Sequence, residues 1–170
     1  MNRVFASVAA ADALVLIGAA VLGFYVDGTA YVDMHVGLAV FGGLVTCLAH
    51  VIALVFMVVL EKLTRQAVEL GHLDPTPWHE VTRLKTGVSV CLAAGVLSLV
   101  LAVGTGATVL WWRPELHLLH QFAVWAALAV NFAAFHAEHR RIQQGRRQRD
   151  RAFAEYNQRM PWPAPATTPR

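Results

Sequence analysis

The chain is short of charge. Only 15% of its 170 residues are Asp, Glu, Lys or Arg, against about 25% in an ordinary soluble domain. That deficit excludes a disordered chain, a coiled coil and a basic nucleic-acid-binding domain. There are two cysteines, Cys47 and Cys91, too far apart for a CxxC pair. They exclude a disulfide scaffold and read as small packing residues. Seven Pro and twelve Gly exclude a collagen-like repeat. There is no Gly-rich phosphate loop, no HExxH and no Ser-His-Asp set, so a soluble hydrolase or nucleotide enzyme has no support. Apolar residues fill the space, at 56% of the chain and a mean hydropathy of +0.48. So much apolar surface needs lipid as well as a core.

A helix needs about 20 mostly apolar residues to cross roughly 30 Å of hydrocarbon. Four stretches qualify, at about 4–26, 34–60, 86–111 and 116–136. Open strands are excluded in lipid because their backbone groups would go unpaired. The expected fold is therefore an all-α integral membrane four-helix bundle. Asp27–Ala30 reads as a tight turn, and Arg113–Glu115 as a shorter one that Pro114 closes. Short connections imply two antiparallel hairpins. The connection from Glu61 to Lys85 is longer and polar, with Pro75 and Pro77 breaking it and Glu61–Leu70 extending the second helix. Residues 1–138 form the membrane domain, and 139–170 form a basic tail ending in a proline-rich stretch from Pro161.

Basic residues set the orientation. The middle connection carries Lys62, Arg65, Arg83 and Lys85, and the tail carries seven Arg between Arg140 and Arg159. The positive-inside rule places these segments and both termini in the cytoplasm of a bacterial-type inner membrane. Tyr25, Tyr31, Trp111 and Trp112 then form an outer aromatic belt, and Trp78 lies near the inner surface. The Arg-rich tail reads as topogenic and attracted to anionic lipid rather than to nucleic acid. The stretch from Pro161 is expected to be disordered or to lie along a partner. The first helix, with Arg3 before it, has a signal-peptide look. Its length and Asp12 favour a retained helix.

Histidine carries the functional signal. Six of the eight His lie in or at the ends of the second and fourth helices: His35, His50, His117, His120, His136 and His139. The first and third helices contain none. Ionisable groups inside a membrane are costly and tend to face the bundle interior. At about 1.5 Å per residue, His50 lies about 22 Å below His35, and His136 about 24 Å below His120. Each of the two helices thus offers an outer and an inner imidazole at matching depth.

On His35 and His50 in one helix and His120 and His136 in the other, the sequence resembles the di-haem b-type membrane cytochromes, including the small anchor subunits of respiratory dehydrogenases. The resemblance implies haem b held between paired imidazoles, with electrons passing to a quinone or a partner subunit. It implies an outer site of His35 with His117 or His120, and an inner site of His50 with His136. The angles support the outer site better. At about 100° per residue His35 and His50 are about 60° apart, whereas His120 and His136 are about 160° apart. One haem and two both remain open.

Two other readings use the same residues. His35, His117 and His120 supply three nitrogens for Cu or Zn, with Asp33 or Glu115 completing the shell. Alternatively, these His sit at a membrane boundary without a ligand, and the protein is a non-catalytic accessory subunit of a larger membrane complex. Either way, an electron-transfer or accessory subunit is expected rather than a stand-alone enzyme. Asp12 reads as a carboxylate hydrogen-bonded to His50, orienting a ligand or relaying a proton. Asn131 is a further buried polar partner.

Overall fold

The computed structural model describes residues 2–26 and 31–160. They form four helices: α1 (Asn2–Leu22), α2 (Val32–Leu70), α3 (Thr76–Trp111) and α4 (His117–Arg159). Single 3-10 turns, Gly23–Tyr25 and Pro114–Leu116, follow α1 and precede α4. No strand occurs among the described residues. All four helices are long and apolar enough to cross a membrane. The turn expected at Asp27–Ala30 and the stretch from Pro161 lie outside the described residues.

Three helices outrun their apolar stretches. α2 has 39 residues, which at about 1.5 Å each is nearly twice the hydrocarbon thickness. α3 begins at Thr76, ten residues before Thr86, with Pro77 in its first turn, where a missing N–H costs nothing. The sequence reading ended the fourth apolar stretch at about His136, but α4 continues to Arg159. Residues 139–159 are mostly Arg, Gln, Ala and Glu, all good helix formers, and they contain no proline. The first 21 residues of the expected tail are therefore helix.

The α2–α3 corner is sharply specified. His72 adopts the left-handed conformation, with φ 47°. Its N–H donates to Glu69 O at 3.4 Å, and the Leu73 N–H donates to Val68 O at 3.0 Å. This is a Schellman stop, with the customary apolar contact between Leu73 and Val68. Asp74 then accepts from the Thr76 N–H at 3.0 Å and hydroxyl at 2.8 Å. The Thr76 backbone bond, then its hydroxyl, hold the Asp74 carboxyl below the usual carboxylate range.

The buried apolar residues form separate clusters in the projections and in the bundle. Ala67, Val68, Leu73 and Ala152 cluster beyond the apolar stretches with Trp78 and Tyr156. Deeper in, Phe5, Ala49, Ala53, Met57, Leu60, Val81, Val88, Phe135 and Ile142 form the main cluster. Large apolar side chains such as Leu97, Val100 and Phe122 are exposed on the outside, at 60%, 60% and 72%. A Cβ at Gly42 would stand 2.8 Å from Leu16 Cδ2, so α1 and α2 approach each other through a glycine contact.

Candidate functional site

Two polar clusters lie between the helices at different levels. One, termed outer for its place at the end of the bundle where α2 and α4 start, joins those two helices. His35 Nδ1 lies 2.9 Å from Ala19 O. Ala19 is in the last turn of α1, where carbonyls lack helical partners. A carbonyl only accepts, so His35 Nδ1 carries the hydrogen and Nε2 keeps its lone pair. His120 Nδ1 lies 3.2 Å from Thr105 Oγ1. The Thr105 hydroxyl has one hydrogen, directed at the Leu101 and Ala102 carbonyls at 3.0 and 2.9 Å. With its hydrogen on either carbonyl it offers His120 a lone pair, and His120 then has the same tautomer as His35. Both imidazoles have Nδ1 anchored and Nε2 in the form that binds a metal.

The two rings face one space. Their centroids are 6.2 Å apart and their planes are 83° apart. Glycine backs each ring: a Cβ at Gly23 would meet His35 Cε1 at 3.0 Å, and one at Gly106 would meet His120 Cε1 at 2.8 Å. Both rings line a cavity of about 70 Å³, whose other walls are small and aliphatic residues such as Ala20, Ala39, Leu99, Ala102 and Leu128.

The inner cluster is packed shut. His50 is fully buried, with Nδ1 2.8 Å from Glu138 Oε1 and Nε2 3.0 Å from Asn131 Oδ1. Asn131 Nδ2 donates to Ala127 O at 2.8 Å and to Ser98 Oγ at 3.1 Å. Those two bonds fix the amide so that Oδ1 faces the imidazole. The ring lies against Phe135, with centroids 4.7 Å apart and planes tilted by 31°. Gly95 is pressed against it: a Cβ there would stand 2.5 Å from His50 Nε2 and 2.8 Å from Asn131 Oδ1. Asp12 and Thr46, also fully buried, meet beside this cluster, with Thr46 Oγ1 2.6 Å from Asp12 Oδ2 and 2.9 Å from Gly42 O.

Several expected pairings are corrected by this geometry. His136 is exposed and does not meet His50. The residue in phase with His120 is Glu138, because 18 residues at about 100° each close five full turns. Both nitrogens of His50 are engaged, so no inner imidazole pair is assembled. Asp12 bonds Thr46 rather than His50. The outer set of three is also not assembled. His117 is exposed, Glu115 pairs with Arg113 at 2.5 Å, Asp33 is exposed, and no group of three metal-ligating side chains occurs among the described residues. Of the histidine pairs expected from sequence, His35 with His120 is brought together. Glu138 was missed because it lay beyond the presumed end of the fourth helix. The 18-residue spacing was the signal that finds it.

No family model matches the sequence, and no curated protein or solved structure shows significant similarity to it.

Proposed function

We propose that the chain is a membrane haem-binding electron carrier with a single b-type site at His35 and His120. The supporting observation is the outer pair itself: two imidazoles on different helices, each with a partner at Nδ1, 6.2 Å apart and lining one apolar cavity. In this reading the bundle is two antiparallel hairpins with both termini in the cytoplasm of a bacterial-type inner membrane, and the outer pair lies toward the opposite side.

The donor set fits haem, and the space fits it only after rearrangement. The cavity, about 70 Å³, is well below the roughly 300–1,000 Å³ of a small-molecule site. A haem here would be held by His35 and His120 and would need more room than this cavity provides. Haem supplies one-electron transfer when bound. The chain's part is to hold two neutral imidazoles at one depth, fix their tautomers through Ala19 O and Thr105 Oγ1, and exclude water with aliphatic walls. A quinone or a partner subunit is the expected electron partner.

A second reading, an accessory subunit of a larger membrane complex, draws on the α2 and α4 projections, which form their own apolar cluster outside the membrane stretches. Purification after expression with haem supplementation distinguishes the two. The carrier gives a sharp reduced-minus-oxidised α-band that is lost in His35→Ala and in His120→Ala and kept in His136→Ala. A colourless, well-folded protein overturns the haem reading and leaves the accessory one.

A further inference from the structure

The inner cluster has a property that haem binding does not use. Asn131 Oδ1 can only accept, so His50 Nε2 carries a hydrogen. The 2.8 Å contact between His50 Nδ1 and Glu138 Oε1 then needs one proton between them. That proton makes either an imidazolium with a carboxylate or a neutral imidazole with a carboxylic acid, and the pair is uncharged in both forms. Without it, a nitrogen lone pair would face a carboxylate oxygen in a lipid-shielded interior. The other carboxyl oxygen, Glu138 Oε2, is buried with no hydrogen-bond partner. Asp12 repeats the pattern. Thr46 has one hydroxyl hydrogen for two oxygens, at 2.6 and 2.9 Å. A proton on Asp12 Oδ2 allows both contacts to be hydrogen bonds, and Asp12 Oδ1 is likewise unpartnered.

We infer that His50 and Glu138 form an exchangeable proton site in the membrane interior, its ligand being the one proton held between Nδ1 and Oε1. Release takes that proton from the pair to a water or buffer base that reaches it when the packing opens locally. It leaves neutral His50 and ionised Glu138. Uptake is the reverse. The charged and titratable groups whose fields reach the pair are Asp12 on α1, Cys91 on α3 and Arg141 on α4. Arg141 is the cation that compensates the pair when it is empty; it lies one helical turn beyond Glu138 and donates to Cys91 Sγ at 3.1 Å. Asn131 and Ser98 hold the imidazole in place and carry no charge.

The inference is independent of haem, and so is its test. The full-length protein, isotope-labelled at histidine nitrogen and reconstituted in lipid nanodiscs, is followed by nitrogen NMR and infrared spectroscopy across a pH series. Expected is a His50 Nε2 that stays protonated throughout, a Nδ1 shift that moves with pH, and a carboxyl band that moves with it. Glu138→Gln, nearly the same shape, abolishes both movements. Asp12→Asn removes a separate carboxyl band and leaves the Nδ1 movement. A Nδ1 signal and carboxyl bands that are constant across the pH series overturn the inference in the unmodified protein alone. Movements that persist in Glu138→Gln overturn it as well.

Discussion

The outer and inner halves of this bundle handle histidine in opposite ways. In the outer half, His35 and His120 each spend Nδ1 on a neighbouring helix and keep Nε2 as a bare acceptor beside a cavity. In the inner half, His50 has both nitrogens bonded, a phenylalanine on its face and a glycine pressed against its edge. The same side chain at two depths is left open to a ligand in one place and saturated in the other. Intramembrane histidine is therefore an ambiguous signal until the fate of each nitrogen is known.

The contrast is tested most severely by removing one partner from each half. Glu138→Leu strands His50 in a sealed interior, and breaking a buried pair this way costs about 3–5 kcal/mol. His120→Ala leaves no such orphan, because Thr105 keeps its carbonyl bonds. Its cost is expected to be well below that of Glu138→Leu, measured as reversible unfolding in mixed micelles. Equal losses for the two variants would erase the distinction between the halves.

Glycine substitutions sharpen it further. Gly95→Ala has no room, with His50 Nε2 2.5 Å away, and overpacking of this kind costs about 1–3 kcal/mol. Gly106→Ala crowds only the edge of His120, at 2.8 Å, and that ring adjoins the cavity. The smaller loss is expected at Gly106, with a change at the His35–His120 pair rather than in stability. Thr46→Val removes the partner of Asp12 Oδ2 and is expected to cost about 1–3 kcal/mol. The smallest effect lies outside the membrane, at Asp74. Its folded carboxyl sits below the ordinary range because Thr76 bonds the ionised form. Its support for the start of α3 is present above the unfolded carboxylate value and is lost as pH falls through the lower folded one. Amide exchange at Thr76, Trp78 and His79 should quicken over that acidic interval, and Asp74→Asn should weaken the response.

Much of the scaffold was legible in the sequence because lipid leaves few choices: long uncharged runs must be helices. The shared level of His35 and His120 is legible from each lying near the start of its apolar stretch. Helix ends were less legible. Nothing in residues 137–159 breaks a helix, but the apolar signal stops there, and Glu138 fell outside the window in which partners for His50 were sought. The choice of Thr46 by Asp12 depends on how α1 lies against Gly42, a packing detail that spacing within one helix does not contain. The tautomers of the outer pair required knowing that Ala19 O and Thr105 Oγ1 stand beside them.

Haem content per chain tests the central claim most directly, measured together with the reduced-minus-oxidised spectrum on protein purified from haem-supplied cells. The account predicts one haem per chain, lost in the His35→Ala, His120→Ala double variant and retained in His50→Gln. Two haems per chain, or haem that survives the double variant, would contradict it.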